Sequence, residues 1–404
     1  MKSSLRSIAM LTNLFPPVAT GSSIHSSKLA QNLVKRGLDV TVFTAHLDKS
    51  TPRHEVVEGV DVYRVPCIRL PRLPIAVNFP WLSMTMLPGN LAYMRGVLES
   101  KGCQLLHVHN HMFDMAFNGV LLSRKLGLPM VLTIHSIIRH PVPFYNAVLG
   151  AADSTLLKYA VVRRADALVD LDNSCTRYLA SRFGREDGRL IPLAVDLPAK
   201  ADPDDVRMIR EEYDLKDKKV LLSVGHLHHL RNRLSLIRGF KMVLEEMPEC
   251  RMLIVGARNY QPTIDLVKEL GLAKQLIFTG KQPHNLIPAF MEVCDVHSMW
   301  FDLDPEGRNS LANANIEAMY YGKPVMGMLD INAYGEGVLK DWENIVINPF
   351  HDPEPHIAAS LLKLFRDPEL AQSIGNNARK MAMETFNWDL VTDKHQDLYQ
   401  SLLG

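Results

Sequence analysis

The sequence has few cysteines and almost no excess charge. Five cysteines are scattered through 404 residues, Cys67, Cys103, Cys175, Cys250 and Cys294, and no two form a C-x-x-C pair. That spacing argues against a disulfide framework and a thiolate zinc site, and the mostly apolar neighbours point to buried free thiols in a reducing compartment. With 45 basic and 44 acidic residues the formal net charge is +1, so no global field draws the chain to nucleic acid. No run of 18 consecutive apolar residues exists, which argues against a regular membrane-spanning helix. There is also no short-period repeat or low-complexity tract.

The composition, 47% hydrophobic and 22% charged, is that of a globular chain. Its length exceeds what one core sustains, so two domains of roughly 180 to 200 residues are expected. The opening MKSSLRSIAMLTNLFPP reads as a first buried strand, not a signal peptide, because its pattern runs directly into a fold. From Leu73 to Met94 there is no charge, and Phe79, Trp81, Leu82, Met84, Met86 and Leu87 sit among Pro74, Pro80, Pro88 and Gly89. This stretch is either a loop and helix packed on the domain or an apolar surface for a lipid-linked acceptor, with Arg64, Arg69 and Arg72 beside it for an anionic group.

The hydrophobic pattern alternates between short strands and helices. Ser7–Leu14, Val40–Thr44, Leu105–Val108, Met130–Ile134, Ala167–Leu171 and Leu190–Pro192 read as strands, with helices over Ile24–Arg36, Met115–Leu126 and Cys175–Phe183. A boundary falls near Val195–Asp205, around Pro198 and Pro203. The alternation then restarts with strands at Lys219–Val224, Cys250–Gly256, Leu276–Gly280, Val296–Trp300 and Pro324–Met328. The helices between these strands are Leu234–Glu246, Ile264–Leu270, Leu286–Cys294 and Asn315–Tyr321. Two such halves predict an α/β protein of two Rossmann-like domains facing a cleft.

Three segments could carry chemistry. The Pro16–Ser23 turn between strand and helix offers backbone N–H groups and the hydroxyls of Ser22 and Ser23 to an anion. The segment Ser223-Val224-Gly225-His226-Leu227-His228-His229-Leu230-Arg231 follows a strand end, where α/β folds collect ligands. Its cations suit a diphosphate better than a metal, since His228 and His229 are adjacent and lack an acidic partner in ligand spacing. The third segment runs from Asp302 to Leu311 and on to Asn315-Ile316-Glu317-Ala318-Met319. Glu317 is an acid among apolar neighbours that needs hydrogen-bond donors, which ribose hydroxyls would supply. Asp302 and Asp304 resemble a D-x-D cation site, but Arg308 beside them favours fixed positive charge without a metal.

Taken in order, these pieces resemble the retaining family 4 of nucleotide-sugar glycosyltransferases with the GT-B fold, and the likeness spans nearly the whole chain. It rests on Pro16-Pro17-x-x-x-Gly21, Leu106-His107-Val108-His109, Thr133-Ile134-His135, Ser223-Val224-Gly225, Phe278-Thr279-Gly280, Ile316-Glu317-Ala318-Met319 with Gly322-Lys323-Pro324-Val325, and Phe386-Asn387-Trp388-Asp389. The resemblance implies an acceptor-side domain over 1–197, completed by a final helix returning at about 385–404, and a donor-binding domain over 198–384. The segment 196–214 and the return near 385 would serve as the hinge.

The resemblance also implies roles for single residues. The family's glycine pair falls on Thr20 and Gly21, its arginine on His226 and its lysine on Arg231. His135, Arg231 and His226 would be catalytic. Gly21, Thr20, Gly225, Arg231, Asn309, Ser310, Leu311 and Glu317 would bind the donor. The family's first glutamate falls on Asn309, eight positions before Glu317, so either Asn309 and Ser310 replace it, which is slightly favoured, or Glu306 reaches the sugar from a longer loop. His109, Arg69 and Trp81 would face the acceptor.

The expected activity is hexosyl transfer, with retention, from a UDP- or GDP-sugar to a glycan, lipid-linked or small-molecule hydroxyl. No cofactor, metal or nucleic acid is expected, and the oligomeric state is left open. The expected location is cytoplasmic, with a peripheral place on the inner face of the cytoplasmic membrane as the variant. The alternatives are a nucleotide-sugar-binding protein with a decayed site and a sugar-nucleotide epimerase on the same fold.

Overall fold

In the computed structural model, residues 5–18, 20–70, 82–140, 142–228, 231–299 and 309–404 are described. The chain divides into two units, Met1–Ala194 with Trp388–Gly404, and Val195–Asn387.

Unit 1 is built on strands β1 (Ser7–Leu11), β2 (Asp39–Ala45), β3 (His54–Val57), β4 (Val60–Val65), β7 (Leu105–His109), β8 (Met130–Ile134), β9 (Ala167–Asp170) and β10 (Arg189–Leu190), while β5 (Ile68–Leu70) and β6 (Leu82–Met84) form a separate antiparallel ribbon. The eight strands lie in the order β10-β9-β8-β7-β1-β2-β4-β3. All neighbours are parallel except β3 with β4. Every residue of β1, β7 and β8 is buried, as expected of strands covered on both faces.

Strand order reverses at β1, so the topological switch point lies beyond the carboxyl ends of β1 and β7. The helix Gly21–Lys35 follows β1 and begins three residues before the periodicity predicts. Thr20 caps it: its hydroxyl accepts from Ser23 N–H, and Ser23 bonds back to the Thr20 backbone. The last helix, Trp388–Ser401, belongs to this unit. Its Val391, Leu398 and Tyr399 share a core with Ile8, Met10 and Leu29, and Arg36 pairs with Asp389 and Asp393.

Unit 2 carries the parallel sheet β13-β12-β11-β14, from β11 (Val220–Val224), β12 (Arg251–Val255), β13 (Leu276–Gly280) and β14 (Val296–His297). A parallel pair, β15 (Met326–Gly327) and β16 (Val346–Ile347), lies next to it through the bridge of His297 with Val325. The switch point here is beyond β11 and β14. Helices Leu234–Glu246 and Pro353–Arg366 bury Phe240, Leu361 and Phe365 against β11 and β12.

The segment expected as an interdomain link, 196–214, is not all linker. Asp202 caps a helix over Pro203–Glu212, Pro203 opens it and Ile209 is buried. Of the uncharged stretch 73–94, residues 73–81 lie outside the described residues. The rest is β6 and the start of a helix, Pro88–Ser100, which buries Asn90, Met94 and Leu98. Among the described residues no helix is long and apolar enough to cross a membrane.

Candidate functional site

At the switch point of unit 1, Asn13 just past β1 donates to the Asp114 carboxylate at 2.7 Å and accepts from Met115 N–H at 3.1 Å, which ties the strand end to the helix Asp114–Leu126. Past β7, Asn110 holds a left-handed φ of 70° and its side-chain oxygen accepts from His135 N–H at 3.2 Å. The residues after β7 therefore set the height of His135 at the end of β8. Gly21 opens its helix with free space around it, since an added Cβ would meet no atom within 4 Å. Nothing in the described chain itself requires glycine there.

A cluster of histidines stands behind His135. His107 and His109 alternate along β7 and so share a face, and their rings lie 4.2 Å apart. His109 Nδ1 and His135 Nε2 are 2.8 Å apart. His107 bonds Thr133 Oγ1 and the Tyr399 hydroxyl, each at 2.7 Å. His25 and His395 complete the group. Burial, with a smaller push from His395, holds the half-buried His135 at about 3, and burial lowers His25, His107 and His109 well below the usual imidazole range. All of these rings are neutral at pH 7.

His109 is only 1% exposed, and its Nε2 is buried with no hydrogen-bond partner. A proton there would leave a buried N–H unsatisfied, so the favoured tautomer carries its proton on Nδ1 and donates to His135 Nε2. His135 then keeps its own proton on Nδ1. His109, expected on the acceptor side, supports His135 from beneath. Arg69 lies in β5 and Trp81 outside the described residues.

In unit 2 the turn beyond β11 is assembled by a residue that sequence reasoning missed. Arg233 is fully buried at φ 59°, as the cap of Leu234–Glu246. Its guanidinium donates to Ser223 Oγ (3.1 Å), His226 O (3.2 Å), Arg231 O (2.5 Å) and Gly225 O (3.1 Å). One planar fork thus gathers the backbone from β11 to the helix and leaves a fixed positive charge under it. That charge, after burial itself, helps hold His297 at about 3.

Gly225 has φ 140°, and a Cβ there would come within 2.2 Å of Met299 Cε. A Cβ on Gly256 would lie 2.5 Å from Gly225 O, so only glycines let the two strand ends approach. His226 is exposed and its Nδ1 accepts from Ala257 N–H at 2.9 Å, which puts the ring proton on Nε2 as an outward donor. Arg231 is partly enclosed, and burial lowers its pKa. Neither residue makes a metal-ligand set, and among the described residues no group of three His, Cys, Asp or Glu could hold an ion.

Glu317 sits on the helix Asn313–Tyr320, half-buried, with no hydrogen bond to its carboxylate among the described residues. Burial raises its carboxyl above the usual range, with His284 opposing and Asp196 adding to the shift. Asn315, two positions earlier, faces the sheet, and its oxygen accepts from Met299 N–H at 3.1 Å. The Asn309 side chain spends an amide hydrogen on Met328 O at 3.1 Å, and its backbone carbonyl accepts from Asp330 N–H. Leu311 is buried and its N–H donates to the Tyr334 hydroxyl at 2.9 Å, while Ser310 is partly exposed between them. Asp302, Asp304 and Glu306 lie outside the described residues.

Residues 19–198 match the family description Glycosyltransferase Family 4, and residues 205–381 match Glycosyl transferases group 1. The chain belongs to the GT-B glycosyltransferases. As a member it takes its sugar from a nucleotide-sugar donor. It is 25% identical to the alpha-D-kanosaminyltransferase of Streptomyces kanamyceticus over 71% of this chain and 74% of that one. It is 25% identical to the D-inositol 3-phosphate glycosyltransferase of Thermomonospora curvata over 94% and 90%. This GT-B chain also superposes on Anabaena HepE, solved with UDP and glucose, with a TM-score of 0.71 at 16% identity, covering 98% of this chain and all of that one.

Proposed function

We propose that the protein is a family 4 retaining hexosyltransferase that uses a UDP- or GDP-sugar without a metal and acts on a hydroxyl of a glycan, a lipid-linked sugar or a small molecule. Unit 2 is the donor domain in this reading and unit 1 the acceptor domain. The observation that carries it is the turn beyond β11, where the buried Arg233 guanidinium holds the backbone carbonyls of His226 and Arg231 and the Ala257 N–H on His226 Nδ1 leaves Nε2 to donate. Fixed cations in that position neutralise a leaving diphosphate without metal chemistry. Glu317, a half-enclosed carboxylate lacking donors among the described residues, takes the ribose hydroxyls. Binding of UDP by the superposable HepE is in keeping with this donor class.

In the reaction the acceptor hydroxyl attacks the anomeric carbon on the face from which the diphosphate departs. The glycosidic C–O bond to phosphate breaks, and the hydroxyl proton passes to the leaving phosphate oxygen. His135 orients the transferred sugar, and Gly21 leaves room for it. The sugar-contacting role of the family's first acid falls to Asn309 with Ser310, or to Glu306.

The competing reading, binding without transfer, draws on Thr20 and Asn309, whose side chains are engaged within the chain. A thermal-shift screen against UDP, GDP, ADP and their sugar conjugates in EDTA, repeated with Glu317→Ala, tests the donor assignment. Stabilisation by one nucleotide class that the variant loses is expected, and no stabilisation by any of them refutes it. Donor turnover with mass analysis then separates transfer from binding alone and from epimerisation.

A further inference from the structure

The helical run 143–160 is the most open helical part of unit 1. Its first helix, Pro143–Ala152, has no buried residue, and a π turn at Asp153–Leu157 and the turn Lys158–Ala160 continue it without a break. The inner side fixes its rotation. Asp153 and Leu157 are buried, the Tyr178 hydroxyl donates to the Asp153 carboxylate, and His111 Nε2 lies 3.3 Å from that carboxylate.

The outward side chains are apolar: Phe144 is 70% exposed, Val148 44%, Leu156 58% and Tyr159 55%. Their spacing places them on one stripe of the helix. A helix facing only water would carry charge along such a stripe. Here Asp153 is the one acid between Arg139 and Ala165, and it points inward. Arg139, Arg163 and Arg164 are exposed and Lys158 is partly so, and Arg163 lies 5.2 Å from the Tyr159 ring centre.

We propose that this stripe docks the protein on an anionic lipid surface. Phe144, Val148, Leu156 and Tyr159 enter the boundary between headgroups and acyl chains, and the arginines and lysine meet lipid phosphates. A second copy of the chain is a poorer occupant, because each stripe would bring the other the same set of cations. The surface differs from the uncharged stretch 73–94 that the sequence suggests. It does not depend on the donor assignment, but it puts a membrane-embedded acceptor within reach of that activity.

The test is co-sedimentation of the full chain with phosphatidylcholine vesicles made with and without phosphatidylglycerol, comparing Phe144→Ser with Val148→Ser as a double variant, and Arg163→Glu with Arg164→Glu. Wild type is expected on the anionic vesicles and largely free of the neutral ones, with each double variant losing about tenfold or more in partitioning. Unchanged melting temperatures show that the variants are folded. As a second readout, a tryptophan at position 144 (Phe144→Trp) shifts its emission to the blue with anionic vesicles only. Wild type left in solution at low salt, or a Phe144/Val148 variant that binds as wild type does, overturns the proposal. So does a dimer in light scattering that the same variant breaks. Nucleotide-induced stabilisation, read in the same samples, reports on the donor reading separately.

Discussion

Arg233→Met offers a sharp test of how the turn beyond β11 is built. The substitution keeps much of the apolar stem and removes the guanidinium that bonds three carbonyls and the Ser223 hydroxyl inside the protein. Stranding a buried acceptor costs about 1 to 3 kcal/mol each. Part of that is returned, because a buried cation no longer has to be desolvated. The net expectation is a loss of about 3 to 5 kcal/mol, a drop of roughly 6 to 20 °C in the melting of a domain this size. Arg233→Lys, with one donor group instead of a fork, is expected to fall between. Calorimetry of both variants decides the matter, and a methionine variant within about 1 kcal/mol of wild type would mean that the carbonyls find other partners and that the turn does not rest on Arg233.

Other outcomes follow from the same geometry. Gly225→Ala forces a side chain onto φ 140° against Met299 and is expected to cost about 2 to 4 kcal/mol by denaturant melting and to abolish nucleotide-induced stabilisation. Glu317→Gln should lose nucleotide stabilisation yet raise the melting temperature of the free protein at pH 7. The folded carboxyl titrates higher than the unfolded one, so its ionisation opposes folding above its folded pKa. The advantage of the amide should shrink as pH falls through that range and vanish below the ordinary carboxyl range. His109→Asn keeps an N–H toward His135 where His109→Leu removes it. Leucine is expected to lower donor turnover about tenfold or more, with asparagine recovering most of it, and equal losses in both would dismiss the tautomer argument.

The α/β alternation was legible in the sequence because parallel strands covered on both faces are short apolar runs, as in residues 8–11 of β1 and 252–255 of β12. Edges and caps were harder to read. The β3–β4 hairpin turns on Glu58, a non-glycine residue at φ 51°, followed by Gly59, and its half-exposed β3 strand lacks an apolar run. The helix over Pro203–Glu212 exposes most of its side chains, so its composition resembles a linker until Ile209 is seen packed. Gly225 follows β11 and Glu317 lies on the helix Asn313–Tyr320, the kinds of element that the pattern predicts for them.

By itself, the sequence determined the order and rough extent of the strands, since these depend on local periodicity, although β1 stops at Leu11 and β14 at His297, short of the expected Leu14 and Trp300. Tertiary structure decided what the residues at their ends do with their hydrogen bonds. Arg233, which resembles any surface arginine in the sequence, is buried because four acceptors converge on it only after β11, its turn and the following helix have packed. His109 and His135, 26 positions apart, become a pair because β7 and β8 lie side by side. Partners distant along the chain are set by packing, and periodicity carries no record of them.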